Sequence, residues 1–585
     1  MKYKTEWDLA MFYKSDKDPQ IERDMVAIDE ACTAFEKKYR NKDFTKTPES
    51  LLKALKNSAL LEETIQSAKP IFYLHLKRSI NSEDDVTGAL QTKLEQRTTA
   101  AINKLEFFRL QIGKIPKDKQ RSFLQDKRLA EFRFMLEEIF KTAKYNLTEQ
   151  EEQLAGLLSQ TSYDMWVDTG KKLLNKQTVT YKNKQIPLSE ATNLIIDLPK
   201  ANRQKLYSQV LEKLKSISFF AEAEMNAICN FKKVLDERRG YEKVYSQTVL
   251  RYQNDEATVE NLTNIVTKYF SLSRKFYKIH AKLLGEEKIT SADRSAKIGE
   301  IRKKFDLDRT IEVVKSAFTK FGPKYAAFVD AYLENGQIDV FPRKHKNGGA
   351  FCSDMGTLPV FVLLNHTNSI KSVETFGHEM GHAIHSELSK PQPARYRHYT
   401  MSAAEVASTF FEQLTLDELE HYLSKDEQII LLHTKLMGDI ATIFRQVACF
   451  NFEKELHVAI RSKGQLSKEE MAQLLNKHMG AYMGDTVKLT DDDGYFFVYW
   501  WHIRNFFYVY SYAFGQLVSR ALYERWKQNP EYREKVEQFL GAGGSDTPEN
   551  IFKSIGIDVR DPAFFEAGLK GVEEDIKRLE KLTRK

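Results

Sequence analysis

The chain has 585 residues, of which 42% are hydrophobic, 29% are charged and four are cysteines, and its formal net charge is +7. A chain of this length can bury a large core without disulfide bonds, and its composition excludes a disordered chain, a collagen and a small disulfide-rich secreted protein. Basic and acidic residues are interleaved without forming a basic patch, which gives no support for a nucleic-acid partner.

Most of the chain is predicted to be helical, because apolar residues recur at spacings of three and four between charged residues. No internal repeat or low-complexity linker interrupts this pattern. The clearest segments are Glu22–Lys38, Glu49–Lys69, Ala130–Lys144, Glu149–Leu158, Asn202–Asn230 and Glu256–Leu284.

Short runs that favour β-strands occur in two places. The first, Thr178–Tyr181 followed by Gln185–Leu188, is predicted to form a small hairpin. The second place contains three short runs that are separated by turn residues: Ile338–Phe341, Ala350–Cys352 and Pro359–Leu364. We expect a domain boundary after the hairpin, with a helical N-terminal region at residues 1–190 and a larger region at residues 191–585.

One stretch, Tyr495–Val518, has the length of a membrane span. It contains His502 and Arg504, and its apolar residues are mostly aromatic. A lipid-facing helix favours aliphatic residues and is strongly destabilised by an arginine, so this stretch is predicted to be a buried helix. The first residues of the chain lack the apolar segment of a secretory signal, and the cysteines are isolated. Both features favour a cytoplasmic protein that has no membrane association.

The pattern H-E-x-x-H at residues 378–382 is the clearest sign of chemistry. Residues four apart share a helix face, so His378 and His382 can direct imidazole nitrogens at one metal ion. Glu379 lies about 100° round the helix, close enough to reach a water on that ion without binding the ion itself. The alternative is a helix whose two histidines make only local hydrogen bonds.

A third metal ligand is predicted on the next helix. Zinc in a hydrolytic site takes three protein ligands and keeps one position open. Glu405 suits this position, because small neighbouring residues would let its helix pack closely on the first. The alternative interpretation is that Ser402 and Glu405 form a capping box. Glu412, two turns further along the same face, could orient a ligating histidine or lie at the surface.

The aromatic stretch offers a further set of polar groups. Within His502–Gly515, Tyr508 and Tyr512 are four residues apart and are expected to share a helix face. A phenolic O–H or an imidazole N–H can donate a hydrogen bond to an oxyanion. An aromatic-rich helix is nevertheless more often part of a core than of an active site when it is taken alone.

Four stretches resemble motifs of the oligoendopeptidase F branch of the thimet oligopeptidase-like zinc metallopeptidases. They occur in the same order along the chain as in that family. The similarity covers roughly residues 200 to 580. The stretches are HEMGHAIHS at residues 378–386, AEVAST at 404–409, FYVYSYAFG within residues 502–515 and GAGGSDTPENIFKSIGID at 541–558.

The resemblance implies a role for each group of residues. Glu379 is the implied general base, and His502 with Tyr508 or Tyr512 is implied to lie near the tetrahedral intermediate. Which tyrosine donates stays open, because branches of the family differ in the spacing between the histidine and the FY pair. The residues implied to bind one zinc ion per chain are His378, His382 and Glu405.

Substrate-binding residues are predicted in two places. Gly348 and Gly349 lie in a loop whose backbone could approach a peptide or close over it, although an ordinary glycine turn explains them equally well. Tyr510 belongs to the aromatic stretch. A peptide backbone could also pair with an exposed strand edge at Ala350–Cys352 or Pro359–Leu364.

The family's fold is almost wholly α-helical, with two lobes around a deep, narrow channel and a small sheet beside the metal. The resemblance therefore implies a mainly α, zincin-like protein in which residues 191–585 carry the catalytic site and residues 1–190 form part of the channel wall. The implied substrates are short unstructured peptides, because a folded chain cannot enter the channel. A monomer or weak homo-oligomer is expected.

The resulting hypothesis is a zinc-dependent oligoendopeptidase that hydrolyses internal bonds of short peptides, with Glu379 activating the water on zinc. One alternative is a helical zinc metallocarboxypeptidase, which also combines H-E-x-x-H with a downstream glutamate. Another is a non-catalytic peptide-binding homologue. A membrane-embedded zinc protease is disfavoured, because the chain lacks aliphatic spans.

Overall fold

The computed structural model describes residues 3–66 and 68–584, apart from the side chains of Glu149, Met401 and Ser402. Most of these residues are helical, as the sequence predicts, and short 3-10 and π turns join or interrupt the helices. The α-helices are, in chain order, α1 (Pro19–Tyr39), α2 (Pro48–Gln66), α3 (Pro70–Ile80), α4 (Asp85–Asn103), α5 (Glu106–Gly113), α6 (Lys117–Gln125), α7 (Arg133–Ala143), α8 (Glu149–Ser159), α9 (Met165–Asn175), α10 (Leu188–Leu194), α11 (Lys200–Ser216), α12 (Ser218–Arg239), α13 (Ser246–Arg251), α14 (Glu256–Lys268), α15 (Phe270–Leu283), α16 (Leu307–Phe321), α17 (Pro323–Glu334), α18 (Ile370–Ser389), α19 (Ala394–Arg397), α20 (Met401–Leu419), α21 (Lys425–Asp439), α22 (Gln446–Lys463), α23 (Lys468–Met483), α24 (Tyr510–Gln528), α25 (Arg533–Ala542), α26 (Pro548–Ser554) and α27 (Pro562–Leu582).

The strands are short and form small sheets. β1 and β2 form the predicted antiparallel hairpin, and Lys182 and Asn183 between them both have positive φ, as a tight two-residue turn requires. β3 pairs in parallel with β7. The strands are β1 (Thr178–Tyr181), β2 (Lys184–Pro187), β3 (Ile289–Thr290), β4 (Ile338–Asp339), β5 (Phe351–Ser353), β6 (Phe361–Leu363) and β7 (Val487–Lys488).

The three-stranded sheet beside α18 has the order β4-β6-β5. β6 is the central strand, parallel to β4 and antiparallel to β5. The expectation that Pro359–Leu364 offers a free strand edge is therefore wrong, because both sides of β6 are already paired. Among the described residues β5 has a strand partner on one side only, which agrees with the expectation of a strand edge at Ala350–Cys352. The Cys352 backbone amide is nevertheless hydrogen-bonded to the Glu379 carboxylate.

Two compact units account for the chain. Unit 1 comprises the chain up to Lys144 with Lys303–Tyr422 and Arg525–Ile555, and unit 2 comprises Tyr145–Arg302, Leu423–Glu524 and the chain from Gly556 onward. Each unit is thus assembled from separate stretches of sequence. The division of the sequence at residue 190 stays a prediction.

In unit 1, the N-terminal helices share their core with the small sheet. The ring of Phe361 in β6 lies 5.6 Å from the rings of both Trp7 and Phe12. The indole nitrogen of Trp7 donates a 2.9 Å hydrogen bond to the Val362 carbonyl. These contacts hold the central strand to the helical core, and α18 packs against β5 and β6.

The aromatic stretch Tyr495–Val518 is buried in large part but is not one helix, which corrects the sequence expectation. Short 3-10 turns cover Asp491–Val498 and Trp501–Arg504, and α24 begins only at Tyr510. Within the part of the chain that the structure describes, no helix combines the length and apolar character that crossing a bilayer demands.

Candidate metal centre

Helix α18 carries the H-E-x-x-H residues. Its N-cap is Ser369, whose side chain accepts a hydrogen bond from the Ser372 backbone amide. His378 and His382 are one turn apart, with ring centroids 5.1 Å apart. The buried residues of α18 include Phe376, Met380 and Ile384, which form the apolar face predicted to hold this helix in place.

Helix α20 lies against α18 at unusually close range. A Cβ atom on Gly381 would stand 2.8 Å from the Cα of Ser408, and one on Gly377 would stand 2.2 Å from the Thr415 hydroxyl oxygen. Real Cβ atoms do not approach other atoms so closely, so these positions of α18 accept only glycine without a shift of α20. The close approach brings Glu405 of α20 to the two histidines of α18.

Three potential metal-ligand atoms converge at this contact. One atom from each of His378, His382 and Glu405 lies within 4.8 Å of the other two. Glu405 Oε2 is 3.7 Å from His378 Nε2 and 4.0 Å from His382 Nε2. Two imidazole nitrogens and a carboxylate oxygen are a ligand set of hydrolytic zinc sites, so these residues fit a zinc ion.

The carboxylate of Glu412 orients one of these histidines. Glu412 Oε2 lies 2.6 Å from His378 Nδ1, which favours a proton on Nδ1 and leaves Nε2 available to a metal ion. Burial alone would lower the pKa of His378, but the Glu412 carboxylate raises it to about 9. The site therefore favours positive charge, which a metal cation would supply.

The surroundings of Glu379 suit a proton-transfer role. Glu379 is 7% exposed, and this burial raises the pKa of its carboxyl to about 7, while the nearby His378 acts in the opposite direction. A carboxyl with such a pKa can both accept and release a proton near neutral pH.

The capping-box interpretation of Glu405 does not agree with the helix boundary. Helix α20 begins at Met401 with Thr400 as its N-cap, so Ser402 is the second helical residue and not the cap. The Glu405 carboxylate instead accepts a 3.0 Å hydrogen bond from Ser408, one turn further along α20. Its direction is thus fixed from within its own helix.

The predicted oxyanion donors lie in unit 2. His502 Nδ1 and the Tyr508 hydroxyl are hydrogen-bonded to each other. The ring of Tyr512 lies 5.7 Å from that of Tyr508 and 5.9 Å from that of His502, so the structure brings the three rings together. The turn that carries His502 is anchored by a buried 2.7 Å ion pair between Arg504 and Glu224.

Tyr510, predicted to contact substrate, has a different environment. Its side chain is fully buried, and its hydroxyl donates a 2.8 Å hydrogen bond to Asn254. Direct contact with a peptide would require the ring to leave this position. A role in substrate binding stays a prediction for Tyr510.

Gly348 and Gly349 lie in the exposed loop that precedes β5. A Cβ atom on either residue would meet no atom within 4 Å, but Gly349 has a φ of +78°, which other residues rarely adopt. The Asn365 side chain donates hydrogen bonds to the carbonyl oxygens of Asn347 and Gly349, at 2.9 and 2.7 Å. The loop is therefore tied to the residues that follow β6.

Gly377 and Gly381 allow the close approach of α18 and α20, a role that was not predicted from the sequence. Both are helix-interior glycines, which cost about 1 kcal/mol relative to alanine and so indicate a packing requirement. That signal is present in the sequence. The sequence left the role of Glu412 undecided, because residue spacing does not show whether a helix face is covered.

Comparison with family models places the chain among known peptidases. A model described as Peptidase family M3 matches residues 199–571, which is most of the chain. A second model, described as Oligopeptidase F, matches residues 111–174. The first match covers the helices α18 and α20 and the aromatic residues of unit 2.

Similar proteins extend over the whole chain. Group B oligopeptidase PepB of Streptococcus agalactiae is 24% identical over 603 aligned positions, which cover 100% of this chain and 98% of the relative. Oligopeptidase PepF of Bacillus subtilis is 25% identical and covers 88% of this chain and 78% of the relative.

Solved structures show the same fold. A crystal structure from Chlamydophila abortus superposes with a TM-score of 0.88 at 22% identity, covering 99% of this chain and 98% of that chain. The oligoendopeptidase F structure from Enterococcus faecium has a TM-score of 0.70 at 19% identity, covering 96% and 98%. The expectation of a mainly α peptidase fold is confirmed.

Proposed function

This chain belongs to peptidase family M3, and from that premise we propose that it is a zinc-dependent oligoendopeptidase whose ion is held by one nitrogen each of His378 and His382 and by a carboxylate oxygen of Glu405. The observation that carries the assignment is the convergence of these three atoms within 4.8 Å, with the Glu412 carboxylate fixing the ring of His378. We propose one zinc ion per chain, because the three residues form one ligand set.

Glu379 is the proposed general base. When bound, zinc lowers the pKa of a water ligand and polarises the scissile carbonyl. The Glu379 carboxylate accepts a proton from the attacking water and transfers it to the nitrogen of the departing amine. Its buried position and its pKa of about 7 support both transfers at neutral pH.

His502, Tyr508 and Tyr512 are the proposed donors to the developing oxyanion. If His502 Nδ1 carries the proton of the hydrogen bond that it shares with Tyr508, the phenolic O–H of Tyr508 is available to the substrate. We therefore assign Tyr508 as the principal donor and Tyr512 as its neighbour. Tyr510 has no part in this proposal, because its hydroxyl is engaged by Asn254.

The proposed substrates are short unstructured peptides, which the names of the relatives as oligopeptidases support. Their backbone would pair with the free side of β5, beside the loop that contains Gly348 and Gly349. We further propose a cytoplasmic protein that acts as a monomer or weak homo-oligomer.

The test uses an internally quenched peptide that is blocked at both ends. We expect the zinc-loaded protein to cleave it between the blocked ends, and alanine variants of the three ligand residues to lose both zinc and cleavage. Cleavage only of a peptide with a free carboxyl terminus would indicate a carboxypeptidase. Binding of the peptide without turnover, at full zinc content, would indicate a non-catalytic homologue.

A further inference from the structure

Two consecutive residues just before the proposed oxyanion donor have strained backbones. Phe506 and Phe507 have φ values of +47° and +61°, in the left-handed region. Positive φ is rare for bulky residues, and each such residue costs about 1–3 kcal/mol unless its surroundings hold it in place. Strain of this kind is typical of functional segments, so the residues that hold the pair in this conformation are candidates for a functional role.

The strained pair lies between His502 and Tyr508, where the helical path is interrupted. In one continuous helix, two residues six positions apart would point about 120° apart and lie about 9 Å apart along the axis, so their side chains could not touch. Here the 3-10 turn Trp501–Arg504 ends, the left-handed pair follows, and α24 starts at Tyr510. With the helix interrupted in this way, the Tyr508 hydroxyl meets His502 Nδ1. The contact between the two residues thus depends on the conformation of the pair.

Side chains from two distant segments hold the pair. Glu453 of α22 accepts a 2.6 Å hydrogen bond at Oε1 from the backbone amide of Phe507. Thr248 of α13 donates a 2.9 Å hydrogen bond from its hydroxyl to the carbonyl oxygen of Phe506. The ring of His457, one turn after Glu453, lies 4.8 Å from the Phe507 ring and 5.2 Å from the Phe506 ring.

The environment of Glu453 is unfavourable for the stability of the fold. Its side chain is fully buried, and Oε2 has no hydrogen-bond partner among the residues that the structure describes. Burial raises the pKa of this carboxyl well above its usual range and thus favours its neutral form. A half-satisfied buried carboxyl destabilises a core relative to an apolar side chain, which points to a role other than stability.

We propose that Glu453 is a positioning residue, which through its hydrogen bond to the Phe507 amide keeps the left-handed pair in place and holds Tyr508 against His502. The proposal rests on the proposed function, because it gives Tyr508 a part in the reaction. Glu453 itself touches neither substrate nor metal in this account. Its effect is exerted on the geometry of the tyrosine.

The first test compares two substitutions of Glu453. Glu453→Gln keeps a neutral side chain with an oxygen that accepts from the Phe507 amide, and we expect kcat close to that of the unaltered protein. Glu453→Leu removes the acceptor, and we expect kcat to fall by about tenfold or more, with KM and zinc content little changed. Equal kcat values for both variants, with both folded, would overturn the proposal.

The second test combines each change with Tyr508→Phe in a double-mutant cycle. If Glu453 acts through Tyr508, the Tyr508→Phe change lowers kcat clearly in the unaltered protein but has little further effect in Glu453→Leu. Independent, multiplicative losses would contradict the proposal. If Tyr508→Phe alone leaves kcat unchanged, the assignment of Tyr508 as oxyanion donor fails. The proposed action of Glu453 through Tyr508 is then overturned as well, whatever kcat Glu453→Leu shows.

Thr248→Val provides a variant should Glu453→Leu fail to fold. It removes the hydroxyl that donates to Phe506 while keeping the side-chain shape. We expect a smaller loss of kcat than for Glu453→Leu, and that loss too should vanish when Tyr508→Phe is already present. A folded Thr248→Val protein with a loss that multiplies that of Tyr508→Phe would count against the positioning role of the pair.

Discussion

At the scale of single residues, Glu379 is the proposed general base, so turnover is expected to depend on it most directly. Glu379→Gln keeps the size of the side chain and removes its capacity to accept a proton. We expect turnover to fall by about 100-fold or more, the range that general-base groups supply, while zinc content measured by elemental analysis is unchanged. Near-normal turnover with zinc bound would exclude Glu379 as the base.

The carboxylate of Glu412 is expected to act on metal affinity and not on the chemical step. Its hydrogen bond at 2.6 Å fixes the ring of His378. Glu412→Ala should weaken zinc binding by about 10- to 100-fold, as measured by competition with a chromogenic chelator. Asp417→Ala is the matched control, since Asp417 also lies on α20 and its carboxylate accepts a 2.6 Å hydrogen bond from the Gln413 side chain. Equal zinc affinity of the two variants would contradict the orienting role.

At the scale of elements, the close contact of α18 and α20 brings the three proposed zinc ligands together. Gly381→Ala would place a Cβ 2.8 Å from the Ser408 backbone, so α20 must shift. We expect a loss of about 1–3 kcal/mol in unfolding free energy together with weaker zinc retention.

Gly156→Ala is the control for this effect of backbone crowding. Gly156 lies in α8 with open space around it, and alanine there should stabilise the helix by about 0.5–1 kcal/mol without a change in zinc content. If Gly381→Ala retained full zinc affinity and stability, close packing would not be what positions Glu405.

The elements also show what the sequence could predict. The spacing of His378, Glu379 and His382 fixes their faces on a helix, and the small residues of the next helix led to the prediction that Glu405 lies close to the histidines. The break in the aromatic stretch could not be predicted, because Phe506 and Phe507 are held by Glu453 and Thr248, which are distant in sequence. The intrinsic helix propensity of neighbouring residues does not reflect contacts with distant parts of the chain.

The position of β6 illustrates the same limit. The run Pro359–Leu364 has the composition of a strand, but strand order depends on which partners arrive from elsewhere in the chain. β4 and β5 occupy both sides of β6. A strand edge therefore could not be distinguished from a sheet centre by composition.

At the scale of the whole molecule, buried neutral histidines make stability depend on pH. His433 lies in hydrogen-bonding contact with His280 at 2.9 Å, and His280 Nε2 donates to the Asp293 carbonyl at 2.9 Å. Burial lowers the pKa of His433 to about 3 and also lowers that of His280. Both rings are therefore neutral in the folded protein at neutral pH.

Because the pKa values of His433 and His280 are lowered on folding, acid pH destabilises the folded protein. The unfolded chain binds protons on these residues below about pH 6.5, whereas the folded protein does not. The stabilisation of the folded protein by these neutral histidines is fully present above pH 6.5 and is lost as the pH falls towards 3. For His433 the loss is about 2 kcal/mol at pH 5. His433→Gln should flatten the dependence of the urea midpoint on pH between 7 and 5, and an unchanged slope would contradict this origin.

The central claim is that one zinc ion, held by His378, His382 and Glu405, makes this chain a peptidase. The most direct test titrates metal-stripped protein with zinc and follows cleavage of an internally quenched peptide blocked at both ends. We predict that activity rises linearly and reaches its plateau at one zinc per chain, and that the Glu405→Ala protein shows no such rise at these concentrations. Full cleavage by the metal-stripped protein, or no cleavage at any zinc concentration, would contradict the account.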